Sequence, residues 1–352
     1  MKFRGSALLV IALAASCASH TTEQSLSSPI DHPPDRGDVS PTPTSSPLAS
    51  TTTLAPPTTV APTTTVRPPL GLASLATAGA KRPSVVVTPT GVVLPVLAVE
   101  ADGRLRVRTV CGIEAHYAGP GRRYDRVHVV LDPGHGGFDP GAVQNGVRES
   151  DVNLDVAQRT RALLEREGLD VVLTREFDYY VPFVVRGELA LNSSAALFVS
   201  IHHNSGNASL VSDPGTEVFY QQLDANAKRL AGLLWEDVTT ALRSHPIQWY
   251  GAAGAGALFR EGRTGPDFYG VLRRTAGVPA TLLEIAYLSN PTEAALVATA
   301  AFREESAVAI ARAIARYFTT DDPGAGFSAP RGAGPPTTPT GGTGGCVEPP
   351  YE

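Results

Sequence analysis

No excess of positive charge marks this sequence. Its 29 lysines and arginines are outnumbered by 34 aspartates and glutamates, giving a net charge of -5. That balance excludes the basic footprint of a nucleic-acid binder. A bilayer-spanning run is missing at the N-terminus: the apolar stretch Ala7 to Ala15 (ALLVIALAA) falls well short of the roughly 20 residues a membrane-crossing helix needs. Internal repeats are missing too. Cysteine is sparse, with three in 352 residues.

What is present is unevenly distributed. Lys2 and Arg4 precede the short apolar stretch, and Ser16 and Cys17 follow it at once. A positive start, a short apolar run and a small residue before a cysteine read as an export leader. Cys17 is then a candidate lipid site, although Ala14 stands where a lipoprotein box usually has Leu. The chain is expected in the cell envelope or a periplasm-like space, with a membrane lipid anchor if Cys17 is modified. If Cys17 is lipidated or removed, Cys111 and Cys346 remain. In an oxidising compartment such a pair suggests a disulfide, the alternative being two free thiols.

Residues 20–80 are dominated by Ser, Thr and Pro. They cannot bury enough apolar surface to offset their ordering entropy, so they read as a tether. Residues 82–126 alternate short β-branched runs with turn signals, Thr88-Pro89-Thr90-Gly91 and Asp102-Gly103. They predict a small β module, or else an extended arm that pairs with the main sheet. From about 127 to 318 the pattern becomes alternating strands and helices. Strands are expected at 127–132, 169–175, 195–201, 215–221 and 280–286. Helices are expected from Ser150 to Arg166 with Ser150 or Asp151 as cap, over 181–194, and from Asp224 to Arg243 with Asp224 as cap. Ala307, Ile310, Ala311, Ile314 and Phe318 form one helical stripe. The fold class is α/β, a mostly parallel twisted sheet with helices on both faces. Residues 319–352 return to Gly, Pro and Thr and read as a tail.

The unusual polar residues fall at strand ends. His135 lies in LDPGHGGFDPGA, just past the first strand of the α/β region. His202 and His203 lie in FVSIHHNS, and Glu284 near the end of ATLLEIA. Glu149 opens a helix on the same side. Open α/β sheets bind ligands beyond the carboxyl ends of their strands, so the topology gathers this set. Singly, each has an ordinary reading: a structural histidine, a paired glutamate, a helix N-terminal charge, a glycine turn. The DPGHGG loop lacks the spacing of a dinucleotide or P-loop cradle. Together, two imidazoles and a carboxylate with an open position make a catalytic zinc arrangement. A second carboxylate beside it can move the proton of an attacking water. Glu284, flanked by Leu282, Leu283 and Ile285, suits that role.

Residues 127–318 resemble the zinc-dependent N-acetylmuramoyl-L-alanine amidases of the amidase 3 type. The segments that carry the likeness are VVLDPGHGGFDPGA, RESDVNLDVA, LDVVLTR, LFVSIHHNS and LLEIAYLSNPTEAALV, in the family's order. The Ser/Thr/Pro leader and DFYGVLRRT (267–275) look like actinobacterial members. The resemblance implies one zinc ion on His135, Glu149 and His202, with Glu284 as the catalytic glutamate. It implies a substrate as well, peptidoglycan or its muropeptides, cut at the amide between N-acetylmuramic acid and L-Ala. The family commonly has a small residue where His203 stands, so His203 is expected either to touch substrate or to point outward. Asn204 is expected to orient the loop or contact substrate. No glycan-binding repeat and no long blocking insertion is present, and the enzyme is expected to act as a monomer. The alternative is a wall-binding or activator protein on an inactive amidase fold. It would lack a ligand or the glutamate, and none is lacking. A zinc peptidase acting within the stem peptide is a third reading, distinguished by its products.

Overall fold

The computed structural model describes residues 83–206, 208–334 and 341–352. The leader, Cys17 and the Ser/Thr/Pro tether lie outside them. Among the described residues, no helix is long and apolar enough to cross a membrane.

Five short strands come first: β1 (Val85–Val87), β2 (Val93–Val99), β3 (Leu105–Arg108), β4 (Glu114–Tyr117) and β5 (Arg122–Tyr124). They form an antiparallel sheet in the order β4-β3-β2-β1-β5 and pair with one another, not with the larger sheet. Gly91 and Gly103 make two of the turns, each at φ +84, a conformation that a side chain would strain. One face of this sheet, with Val86, Leu94, Leu105 and Val107, packs on Tyr179, Val181 and Val185 of the following region.

The chain then runs through β6 (Val129–Pro133), the hairpin β7 (Val143–Gln144) and β8 (Val147–Arg148), α1 (Glu149–Arg166), β9 (Val171–Leu173), α2 (Phe183–Asn192) and β10 (Leu197–Asn204). Next come β11 (Ser209–Val211), β12 (Glu217–Tyr220), α3 (Ala225–Leu242), β13 (Trp249–Gly251) and β14 (Ala257–Leu258). The order closes with α4 (Gly270–Arg274), β15 (Ala280–Tyr287), α5 (Pro291–Val297) and α6 (Ala300–Thr319). Six strands form the main sheet in the order β14-β12-β15-β10-β6-β9. The pairs are parallel except β12 with β15.

Why the strands are apolar throughout is visible in their alternation. In β6, Val129 and Leu131 face a core shared with α1, α3 and α6, while Val130 faces the other side, with α2, α4 and β1. Both faces are covered, so every position rewards a β-branched or aliphatic residue, at roughly 1.5–3 kcal/mol for each fully buried side chain. The mixed α/β class expected from the sequence is the one observed.

Helix starts differ from expectation in α1 and α2; α2, expected over 181–194, runs from Phe183 to Asn192. Asp224 caps α3, accepting from the backbone N–H groups of Asn226 at 2.8 Å and Ala227 at 2.9 Å. The first helix begins one residue earlier than expected, at Glu149, and its N-cap Arg148 makes no side-chain capping bond. Ser150 and Asp151 are not caps, because the preceding loop already serves those donors. Glu149 N donates to Ala142 O at 2.8 Å and Ser150 N to Pro140 O at 3.1 Å. The described C-terminal segments make specific contacts with the rest of the chain. Residues 326–331 lie along β14: Ala257 N donates to Gly326 O, Ser328 N to Ala257 O and Arg331 N to Phe259 O. Farther on, Cys346 is joined to Cys111 by a disulfide.

Candidate active site

Where β6 ends, the chain must turn tightly beneath a neighbouring strand. A Cβ at Gly134 would sit 2.2 Å from the ring of His202, so no larger residue fits without displacing that imidazole. His135 follows in the left-handed region at φ +61. That conformation costs a non-glycine residue on the order of 1 kcal/mol or more and is found mostly at functional sites. Two buried arginines fasten the turn. Arg175 donates to Pro133 O at 3.1 Å and to Gly134 O at 2.9 Å. Arg186 donates to Pro133 O at 3.0 Å and to His135 O at 2.8 Å. Arg186 also pairs with Asp132, both side chains being almost fully enclosed. Burial works against charge on Asp132, but Arg186, Ser200 and Thr174 hold its carboxyl below the usual range.

The turn brings His135 against two partners. Its Nδ1 donates to Asp139 Oδ2 at 2.9 Å, and its Nε2 lies 3.1 Å from Glu149 Oε1. His202 Nδ1, on β10, lies 3.0 Å from the same Glu149 oxygen. One ligand atom from each of His135, Glu149 and His202 falls within 4.8 Å of the others. Glu149 is 5% exposed. Its Oε2 accepts from Ala142 N at 2.8 Å, and Asn153 Nδ2 donates to its Oε1 at 3.3 Å. Burial opposes ionisation of Glu149, but the two imidazoles hold its carboxyl well below the ordinary range. Burial likewise depresses His135, yet its bonds to Asp139 and Glu149 carry it up to about 9.

Glu284 stands across from this set. On β15 its Cα pairs with His202 of β10 on one side and with Glu217 of β12 on the other. Its Oε2 is buried and, among the described residues, has no hydrogen-bond partner. Burial pushes its carboxyl well above the usual range, and the charges of Glu149 and Glu217 add to the effect. His135, His202 and Glu284 line one cavity of about 700 Å³, together with Asp132, Tyr180 and Tyr269 among others.

The other expected site residues are distributed as follows. His203 does not point outward, which corrects that expectation, and it is not among the residues that line the cavity. It alternates with His202 along the strand and so enters the opposite face. There it is 1% exposed, and its Nδ1 donates to Asn153 Oδ1 at 2.8 Å. Burial drives its pKa down to about 4, so it is a neutral packing residue. Asn204 donates through Nδ2 to Glu217 Oε2 at 2.9 Å, an orienting contact within the sheet. Cys111 and Cys346 are bonded, and Cys17 lies outside the described residues.

Several contributors escaped the sequence reading. Asp139 follows His135 by four residues in the same glycine loop, and that spacing was an available signal. Arg186 interrupts the apolar run FVVRGELAL; a charge on a buried helix face demands a partner. Glu217 and Arg331, joined by an ion pair beneath the site, gave no local signal.

Comparisons with known proteins bear on residues of this same domain. Residues 129–316 match the family profile Amidase_3, described as N-acetylmuramoyl-L-alanine amidase. The chain is similar to N-acetylmuramoyl-L-alanine amidase AmiA of Escherichia coli, at 32% identity over 54% of this chain and 75% of the relative. It is similar to the germination-specific N-acetylmuramoyl-L-alanine amidase of Bacillus subtilis, at 31% identity over 54% and 79%. Among solved structures, the catalytic domain of CwlV from Bacillus (Paenibacillus) polymyxa var. colistinus matches at 33% identity and a TM-score of 0.45, over 54% of this chain and 97% of that one.

Proposed function

The chain belongs to the N-acetylmuramoyl-L-alanine amidase family, and from that premise we propose that it cuts the muramoyl–L-Ala amide of peptidoglycan with one zinc ion held by His135, Glu149 and His202. The observation that carries this reading is the meeting of those three side chains, within 4.8 Å, with a buried carboxyl on the neighbouring strand. The donor set fits the metal. Two imidazoles and one carboxylate are common zinc ligands, and a carboxylate behind a ligating histidine, here Asp139, fixes its tautomer.

A zinc ion bound there supplies electrophilic polarisation of the scissile carbonyl and lowers the pKa of bound water towards about 7. The chain's own residues do the rest. Glu284 accepts a proton from the water whose oxygen bonds to the lactyl carbonyl carbon. As the carbon–nitrogen bond breaks, Glu284 gives that proton to the nitrogen of L-Ala. The products are a lactyl carboxylic acid and a free amine. A carboxyl raised by burial is a better base than an ordinary one and an adequate acid for the return step. Arg175 and Arg186 keep the His135 turn in place. Tyr180 and Tyr269 shield the reacting groups from bulk water.

The wider organisation is proposed with it. Residues 127–318 form the catalytic domain and 82–126 an accessory β module. The leader and tether export the enzyme to the cell envelope, with Cys17 as a lipid anchor. The Cys111–Cys346 bond is of a kind that persists in oxidising compartments, which supports export.

The test is digestion of purified peptidoglycan by the wild type, by Glu284→Ala and by chelator-treated protein, with products read by mass spectrometry. Stem peptides beginning with L-Ala, lost in both controls and recovered when zinc is restored, support the reading. Cuts within the stem assign a peptidase, and intact wall in every sample removes the amidase reading.

A further inference from the structure

The cavity lined by His135, His202 and Glu284 also carries two exposed cations, Arg263 and Arg273, with the rings of Tyr180, Phe183, Phe268 and Tyr269 in the same lining. The arginines near this cavity are not alike. Arg186 is enclosed and paired with Asp132. Arg331 is paired with Glu217, and Arg260 lies 3.6 Å over the ring of Phe268. Arg263 and Arg273 are exposed and, among the described residues, meet only backbone carbonyls. Arg263 Nη1 donates to Gly334 O at 3.3 Å, and Arg273 Nη1 donates to Asp267 O and Phe268 O. Among the described residues neither forms an ion pair, although the charge of Arg273 reaches Asp267 from farther off. The acids nearest in sequence, Glu261 and Asp267, form no ion pair with them, and Asp267 instead accepts from Gln222 N at 2.8 Å.

Two guanidinium groups on the rim of a site whose floor is acidic, in a chain of net charge -5, are placed to sort an incoming substrate end for end. We propose that Arg263 and Arg273 bind a carboxylate of the stem peptide and thereby set the enzyme's preference for anionic over amidated stems. The inference rests on the amidase reading above and names the part of the substrate that this rim takes. Arginine suits the task because its planar fork matches a carboxylate with two parallel hydrogen bonds. The alternative occupant, the neutral N-acetylated glycan, offers nothing to a pair of cations, while the apolar faces of Tyr180, Phe183, Phe268 and Tyr269 suit sugar rings and methyl groups. The reaction then proceeds with the stem peptide leading towards the arginines and the lactyl carbonyl at the metal end.

The test compares kcat/KM for a muropeptide with free stem carboxylates and for the same muropeptide with those carboxylates converted to carboxamides. The proteins are the wild type, Arg263→Gln, Arg273→Gln, the double variant and the corresponding lysine variants, with Arg274→Gln as a neighbouring arginine outside the cavity. The wild type is expected to prefer the carboxylate form by about fivefold or more, an amount suited to partly exposed charge pairs. The preference should shrink in each single variant, vanish in the double variant through KM rather than kcat, survive in part with lysine, and persist in Arg274→Gln. An unchanged preference in the double variant overturns the proposal, as does a wild type that cuts both forms equally. An equal loss on both forms assigns the two arginines to structure and overturns it too. Cleavage of neither form by the wild type removes the amidase reading itself, and that outcome is distinct from the others.

Discussion

Glu284 and Glu217 stand directly opposite one another on β15 and β12, two carboxylates on neighbouring strands beside a third, Glu149. Like charges so placed oppose sheet formation. Arg331 relieves Glu217 by pairing with it, whereas Glu284 has no ion pair among the described residues and its Oε2 no hydrogen-bond partner there; only the charge of His135 eases it, and that is outweighed. The sheet therefore holds one acid in an unfavourable state, at the point where the proposed reaction moves a proton.

Replacing Glu284 by Gln should separate stability from activity. The carboxyl is raised by burial first and by Glu149 and Glu217 second. A raised acid favours the folded state only while protonated, so its destabilising effect appears as pH rises past the ordinary carboxylate range. Glu284→Gln is expected to stabilise the fold by on the order of 1 kcal/mol at neutral pH, with the gain fading near pH 4 where both states are protonated. Amide hydrolysis should fall by roughly 10²–10⁴-fold. Denaturant unfolding at two pH values, beside product release, checks both halves.

Glu217→Gln acts on the same acid from a distance. Removing a negative charge beside Glu284 lowers its pKa, so the acidic limb of the kcat profile should move to lower pH. A limb that stays in place, or moves up, would show that the two carboxyls do not communicate. The measurement is a pH–rate profile of both proteins under saturating substrate.

Asp139→Asn should weaken metal binding without unfolding the chain. The carboxylate accepts from His135 Nδ1 and leaves Nε2 facing Glu149. Loss of such a partner typically costs about 10- to 100-fold in metal affinity. Competition titration with a chelating dye reads the affinity, and activity should return when zinc is supplied in excess.

The Cys111–Cys346 bond spans 235 residues. Closing so long a loop restricts the unfolded chain more than the folded one, by up to about 5 kcal/mol in the loop-entropy account. Cys111→Ser with Cys346→Ser is expected to lower the unfolding midpoint markedly. Reductant should shift the wild type and leave the double variant where it is.

What could be read from the sequence followed periodicity and position. Strands such as Val171–Leu173 are apolar at every position because both faces are covered, so their existence was legible, while their ends were not: this one was expected over 169–175. Polar residues at the ends of the apolar runs, His135, His202 and Glu284, stood out because the pattern around them is so apolar, although β10 and β15 continue past His202 and Glu284. What could not be read depends on contacts far apart in the chain. His203 follows His202 in sequence, and period-two alternation separates the two, but only the packing of α1 tells which face is dry. The absence of a cap on α1 follows from carbonyls of Pro140 and Ala142 that meet its first N–H groups. Arg331 reaches Glu217 from 114 residues away, with no local sign of it.

The bond between Cys111 and Cys346 also makes a closed covalent ring of everything between them, including every residue that lines the cavity. A protease that cuts one exposed loop inside that ring leaves a single molecule, its two pieces still tied end to end. A nicked enzyme of this kind would run at full mass on a non-reducing gel and separate into fragments once thiol is added. In surroundings rich in hydrolases, that architecture lets the fold outlast its own first cleavage.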